Sequence, residues 1–342
     1  MKRLDQKLAR IRAGKYKPTD FIIADAKDGD MGPSLTSSGP HRAKDGSSTR
    51  VRTRAEFLDQ IREIVRQNVL DIMLMSASNL EILNQEKLFQ KSAVQPAIRA
   101  NDTTCIWRLR GATYHNTPSI PFRTANLSHV MYGTAKPPAS KRVKGTDLGL
   151  YSITFNNDLE ADVRSLEAFN VFRADAAAIG FRYFLEVFNP NVDSGIDPEL
   201  VPHYVNDAIL RCLAGVTKAE RPEFLKIAFN GPKALEELAS FDPSLVVGVL
   251  GGGAGTNRDA FELIAQAERY GARVALFGRK INLAESPLEM VAMLRRVASG
   301  QVKPLEAVKA YHGTLQKQGI KPDRSLEDDS KVTEQVLKAA AA

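Results

Sequence analysis

Cysteine is scarce in this chain, and every pattern that usually marks a bound metal is missing. The 342 residues include two cysteines, Cys105 and Cys212, far apart and without metal-ligand spacing, as expected of a reduced cytosolic protein. The five histidines (His41, His115, His129, His203, His312) form no H-x-x-x-H or H-x-H pair, so no metal site is expected. A G-x-S-x-G nucleophile turn is lacking, which removes the commonest support for Ser/His/Asp catalysis. The run Gly251-Gly252-Gly253-Ala254-Gly255 has neither the third glycine position nor the acidic partner of a dinucleotide site. Nothing approaches the roughly 18 consecutive apolar residues of a membrane span, and the charged N-terminus has no apolar leader core. These absences describe a soluble, cytoplasmic protein with no membrane partner.

What is present is ordinary globular composition, 43% apolar and 25% charged, enough for a sizeable core. The net charge of +7 comes largely from two stretches. One is an N-terminal basic arm, residues 1–19 (Lys2, Arg3, Lys7, Arg10, Arg12, Lys15, Lys17); the other holds Lys136, Lys141, Arg142 and Lys144. Neither is interleaved with aromatics or accompanied by a recognition motif. Solvated faces or an anionic substrate explain them better than nucleic acid does.

Eight short apolar runs recur, at residues 21–24, 69–75, 105–109, 150–155, 183–188, 224–229, 245–250 and 274–277. Continuous rather than alternating apolar character marks parallel strands covered on both faces. Helix-period segments lie between most of them: Phe57, Ile61, Ile64 and Val65 share a face, as do Leu159, Val163 and Leu166, and Phe261, Ile264 and Ala267. Thr256-Asn257-Arg258-Asp259 and Ser286-Pro287-Leu288-Glu289 read as capping boxes. The cadence predicts an α/β fold, a (β/α)8 TIM barrel over residues 20–324, with an open doubly wound sheet as its rival. Two long loops interrupt it at 28–50 and 110–147, both expected at the C-terminal mouth where such barrels place their chemistry. Residues 325–342 read as a frayed or weakly docked tail.

Lys226 interrupts the apolar run 224–229, between Pro222 and Asn230-Gly231-Pro232. An ammonium inside a buried strand is expensive, because desolvation disfavours its charged form. The functional explanation is a neutral amine that attacks a carbonyl to give a Schiff base; the bland one is a snorkelling or ion-paired structural lysine. Glu186 interrupts the fifth run, and adjacent strands lie about 4.8 Å apart, so it could carry a proton for Lys226 or simply neutralise it. Asp25 ends the first run, followed by Lys27, Asp28 and Asp30, and could handle the proton of a substrate hydroxyl. Gly251, Gly252 and Gly253 after the seventh run, and Gly278 and Arg279 after the eighth, offer backbone N–H groups and a guanidinium to a phosphate, with Lys27 a further candidate.

Across about residues 20–282 this arrangement resembles the class I (Schiff-base) aldolase superfamily that joins deoxyribose-phosphate, archaeal-type fructose-bisphosphate and tagatose-bisphosphate aldolases, nearest the tagatose branch. The likeness rests on Ile23-Ala24-Asp25-Ala26-Lys27, Tyr183-Phe184-Leu185-Glu186-Val187, Val205-Asn206-Asp207-Ala208, Leu225-Lys226-Ile227, and Gly271-Ala272 ahead of Phe277-Gly278-Arg279. It implies imine formation at Lys226, proton transfer at Glu186, Asp25 near substrate hydroxyls and phosphate at the Gly252 and Arg279 loops. It also implies a cofactor-free, metal-independent lyase of carbohydrate metabolism, acting on a sugar phosphate and assembled as a homo-oligomer. The chain departs from the family at Asp25-Ala26-Lys27-Asp28, at Asn189 where the archaeal type has its acid tyrosine, in a fourth run without a base, and at Lys280. Alternatives are another Schiff-base lyase or a transaldolase-like enzyme using the same lysine, and a catalytically silent sugar-phosphate-binding barrel.

Overall fold

Eight parallel strands close into a barrel in the computed structural model, which describes residues 2–338 apart from 49, 141 and 254. Lys141 of the second basic stretch, Ala254 of the glycine run and the last four residues of the tail therefore lie outside the described residues. The strands are β1 (Ile22–Lys27), β2 (Ile72–Met75), β3 (Gln95–Arg99), β4 (Leu148–Thr154), β5 (Arg182–Phe188), β6 (Leu225–Ile227), β7 (Gly248–Leu250) and β8 (Val274–Phe277), each pairing with the next and β8 with β1. The expected (β/α)8 barrel is the architecture found.

The third strand is a correction. Residues 105–109 form turns over the mouth, where Trp107 stacks on Tyr114 at 5.0 Å and meets Phe122 edge-on at 5.1 Å. Cys105 is buried and Ile106 and Trp107 are half-buried in this loop cluster, while Arg108 and Leu109 are exposed. The true β3, Gln95-Pro96-Ala97-Ile98-Arg99, hides because both ends are polar and buried by hydrogen bonding; Gln95 Nε2, for example, donates to Thr146 Oγ1 at 3.2 Å. The insertion after β3 carries a two-residue hairpin pairing (Asp102–Thr103 with Pro121–Phe122), a 3-10 turn at Tyr114–Asn116 and a short α-helix, Leu127–Tyr132.

Period-2 alternation divides the strands cleanly. Ile22, Ala24, Ile72, Leu74, Ala97, Leu148, Leu150, Phe184, Val274 and Leu276 fill the barrel interior, whereas Ile23, Met73, Ile98, Tyr151, Leu185 and Phe277 pack against the helices. The N-terminal helix α1 (Arg3–Arg12) closes the bottom, with Leu4 and Leu8 packed into the interior cluster. The basic arm is thus no solvated face at its centre: Lys7 is buried, donating to Phe21 O at 2.9 Å and to Asp71 Oδ2 at 3.0 Å.

Helix α2 (Arg54–Gln67) buries Phe57, Ile61, Ile64 and Val65 as expected. In the helix Leu159–Ile179 two of the three residues of the expected face turn outward, while Leu166 packs half-buried against the core. Leu159 and Val163 are exposed, and the buried stripe is Ala161, Ser165, Phe169, Phe172 and Ala176, where two aromatics outweigh the smaller aliphatics. The capping box at Thr256 forms in full on α3 (Asn257–Arg269), whose Phe261, Ile264 and Ala267 are buried. Ser286 is an N-cap residue with Pro287 behind it but makes no side-chain cap bond. The described part of the tail is held at Asp329 and Leu337 and is otherwise mostly exposed. Asp329 accepts from Asn257 N at 2.7 Å and meets His312 Nε2 at 2.9 Å, and Leu337 is buried.

Candidate active site

Above the apolar layers the interior turns polar. Ser152 on β4, Glu186 on β5 and Lys226 on β6 share the inward phase of Leu150, Phe184 and Phe224, and the register sets Ser152 beside Glu186 and Glu186 beside Lys226. Arg99 ends β3 in the phase of Ala97, and Asp28 follows β1 in the phase of Ala24. All four charged members are almost fully buried. Lys226 Nζ lies 2.5 Å from Glu186 Oε1. Glu186 Oε2 accepts from Ser152 Oγ at 2.6 Å and from Arg99 Nη2 at 3.4 Å. Arg99 Nε is 2.5 Å from Asp28 Oδ2, and its Nη1 donates to Ser152 Oγ at 3.0 Å. Burial alone would raise the Asp28 carboxyl, but the Arg99 guanidinium and Lys226 ammonium outweigh it and hold it below the ordinary value. The amine is therefore not walled in by hydrocarbon, as the apolar run around it suggests, but set in a compact array of two cations and two acids.

Asp25 does not join this array. It is one residue out of phase with Ala24 and Ala26, so its carboxylate lies on the helix side of the sheet, fully buried and 3.1 Å from Lys27 Nζ. Burial, only partly offset by Lys27, pushes its pKa up to about 6. Burial likewise lowers the pKa of Lys27, against the pull of Asp25. The first-strand acid that faces the mouth is Asp28.

One cavity of about 390 Å³ joins these groups to the loops of the mouth. Its wall includes Lys27, Asp28, Arg99, Glu186 and Lys226, with Gly251, Gly252, Gly278 and Arg279 opposite. Gly253 lines a neighbouring cavity of about 200 Å³ instead. The glycines divide by role. A Cβ on Gly251 would sit 2.5 Å from Phe277 Cδ1, and its N–H already donates to Leu276 O at 2.6 Å, so this glycine serves strand packing. Gly252 adopts φ +64° with open space around it, and its carbonyl accepts from Arg279 Nη2 at 3.1 Å. Arg279 is exposed and has no acid partner among the described residues. Lys280 is buried and donates to Gly255 O at 2.8 Å, tying the two loops together; burial, against the field of Asp329, pushes its pKa down to about 8. Asn189 is locked to Asn230 by reciprocal amide bonds of 2.8 and 2.9 Å. None of the five histidines lines the cavity.

Three contributors escape the sequence reading. Arg99 lies in the unrecognised strand. Ser152 is one small polar residue in an apolar run, and Arg108, with Ile106, reaches the wall from the turn first read as strand. Only Ser152 leaves a trace, because its phase matches Glu186 one strand away.

No sequence-family model matches the chain, and no characterised protein matches it in sequence. Solved structures do. An archaeal fructose 1,6-bisphosphate aldolase superposes with a TM-score of 0.58 at 15% identity, over 87% of this chain and 99% of that one. An archaeal fructose-1,6-bisphosphate aldolase with its catalytic lysine covalently bound to the carbinolamine intermediate gives 0.59 at 15% identity, over 87% and 100%. A protein of Corynebacterium glutamicum gives 0.56 at 17% identity, over 87% and 98%. The likeness is one of fold. It is the fold that the sequence resemblance implied, and it extends over nearly the full length of each neighbour.

Proposed function

We propose that this protein is a class I aldolase, a lyase that cleaves or forms a carbon–carbon bond in a phosphorylated keto-sugar through an imine on Lys226. The observation that carries this reading is the Lys226–Glu186 pair, 2.5 Å apart, buried and facing the mouth of the barrel. A lysine can attack a ketone only as the free amine, so it needs a partner that takes its proton and later returns one. Glu186 touches the amine directly. With Glu186 as acceptor, Nζ adds to the carbonyl carbon; the proton then goes to the carbinolamine oxygen, which leaves as water and gives the iminium. That cation draws the bonding electrons when the adjacent carbon–carbon bond breaks, and the enamine left behind is reprotonated and hydrolysed. Asp28, kept ionised by Arg99 and Lys226, replaces Asp25 as the carboxylate nearest a substrate hydroxyl.

Gly252, Gly278 and Arg279 suit a phosphate, because they join an exposed guanidinium to loop backbone at the rim of the same cavity. The homo-oligomer expected with this reading would find apolar surface at exposed Leu159 and Val163. One observation favours a second reading. The direct ion pair, braced by Arg99 and Ser152, would equally suit a silent sugar-phosphate-binding barrel in which Lys226 stays charged. Borohydride reduction in the presence of a panel of ketose phosphates separates the two. A covalent adduct in the wild type that is lost in Lys226→Met supports the enzyme, and its mass identifies the carbonyl fragment; binding without an adduct supports the silent barrel.

A further inference from the structure

Ser152 sits among the charges of the array and carries none itself. Its backbone is fixed by Asn101, fully buried just beyond β3, which donates through Nδ2 to Ser152 O at 2.8 Å and accepts from Ser152 N at 2.6 Å. The Ser152 side chain is equally enclosed, with Oγ 3.0 Å from Arg99 Nη1 and 2.6 Å from Glu186 Oε2. A guanidinium has donors and no acceptor, so Ser152 Oγ accepts from Arg99. Its own hydrogen then has one acceptor among the described residues, Glu186 Oε2.

The two oxygens of Glu186 are thereby made unequal. Oε2 meets two donors, the Ser152 hydroxyl and Arg99 Nη2 at 3.4 Å, whereas Oε1 meets Lys226 Nζ at 2.5 Å. A proton on Oε2 would face the Arg99 N–H and leave the buried Ser152 hydrogen without an acceptor, which is costly. Oε1 is the oxygen free to carry one. The donors at Oε2 also favour the carboxylate over the carboxylic acid, because hydrogen bonds made to a charged form stabilise it. Two further charges face the pair. Asp28 follows β1, and Asp102 of the hairpin has a carboxyl that burial, against Arg99, pushes up to about 6. Strands β2, β7 and β8 contribute no ionisable side chain.

We propose that Ser152 is a positioning residue, whose hydroxyl, oriented by Arg99, keeps the proton shared by Lys226 and Glu186 on the amine at rest and confines its transfer to Glu186 Oε1. When a carbonyl compound enters, a proton passes from Nζ to Oε1 and from Oε1 to the carbinolamine oxygen, so one atom acts first as base and then as acid. The bearing of this on catalysis rests on the reading of Lys226 as the imine-forming residue.

The test reads the amine itself and needs no ketose. Full-length protein is treated with formaldehyde and cyanoborohydride at about pH 8, well below the ordinary lysine value, and methylation of Lys226 is followed by peptide mass against the other lysines. Formaldehyde reacts with the free amine. Ser152→Ala is expected to label at Lys226 about tenfold faster than the wild type, the scale of one hydrogen bond lost from a charged group. Ser152→Thr, which keeps the hydroxyl, should label at the wild-type rate. In Glu186→Gln no carboxylate is left to steer, so adding Ser152→Ala should change the rate no further. Thermal melts establish that the variants are folded; should Ser152→Thr not fold, the Glu186→Gln comparison decides alone. Equal labelling of the wild type and Ser152→Ala, including none in either, overturns the assignment. So does a gain that Ser152→Thr shares, or one that persists in the Glu186→Gln background, since either would mark loosened packing. Absence of a ketose-dependent adduct at Lys226 would be a separate result, bearing on the aldolase reading and not on this comparison.

Discussion

Glu186 and Lys226 are register partners on adjacent parallel strands, and their charged atoms approach to 2.5 Å at the floor of the cavity. Each also belongs to a larger balance, because Arg99 bridges Glu186 to Asp28 and makes the array two cations against two acids. Such an array is costly to assemble from water but far costlier to leave incomplete. Any carbonyl compound that reacts at Lys226 must open the contact with Glu186, and that step sets the first expectation.

Glu186→Gln keeps shape and hydrogen bonding but removes the nearest proton acceptor. Imine formation, followed as the rate of borohydride-trapped adduct, should fall by about 10²–10⁴-fold, the usual scale for a lost general acid–base group. The final adduct on Lys226 should remain detectable by mass. An unchanged rate would assign proton transfer elsewhere, with Asp28 the first alternative.

Arg99→Leu should act mainly on stability. It leaves Asp28 and Glu186 buried with one cation between them, and breaking a buried pair in this way costs roughly 3–5 kcal/mol. Urea denaturation should show a matching drop. Adding Asp28→Leu should recover part of it, since the second substitution removes the carboxylate left without a counter-charge.

The barrel was legible because eight apolar runs and their intervening helices survive in the bare sequence, but phase along a strand was not. β1 is apolar on both faces, so Ile22, Ile23 and Ala24 do not reveal which side meets the interior. Asp25 and Asp28 were indistinguishable as mouth residues until Leu4, Leu8 and the neighbouring strands fixed the inward set. Glu186 and Lys226 escaped this ambiguity because a lone charge in each of two successive strands makes sense only if both face the same way. Arg99 could not be found while its strand was unrecognised. A strand that begins with Gln95-Pro96 and ends in a charge lacks the apolar run that signals one, and the richer run at 105–109 drew the assignment to the loop above it.

Stability should depend on pH through Asp25. Its folded-state pKa of about 6 lies above the unfolded value of about 3.9, so the folded protein holds that proton more tightly. The resulting stabilisation is fully present below about pH 4 and is lost as pH rises through about 6, a swing of roughly 3 kcal/mol at 1.36 kcal/mol per unit. Asp25→Asn does not titrate there. Urea midpoints from pH 4 to 7 should show the wild type losing ground to Asp25→Asn as pH increases; a constant difference between them would mean that the carboxylate keeps an ordinary pKa.

Gly251 and Gly252 are neighbours with separable tasks, and alanine should expose the difference. At Gly251 the new Cβ would meet Phe277 Cδ1 at 2.5 Å and Leu276 O at 2.9 Å, in a part of the barrel where backbone must move to make room. Overpacking of this kind costs about 1–3 kcal/mol, so Gly251→Ala should lower the melting temperature clearly. Gly252→Ala meets no atom within 4 Å and carries only the strain of a left-handed residue, about 1–2 kcal/mol, at φ +64°. Its larger effect should fall on anion binding, because that strain tilts the very peptide that Arg279 holds at 3.1 Å. Titration with inorganic phosphate should therefore show severalfold weaker binding in Gly252→Ala and in Arg279→Met. Equal loss of binding and of melting temperature in both glycine variants would instead make the whole turn a packing element, and would move the anion contact to Arg108 on the facing loop.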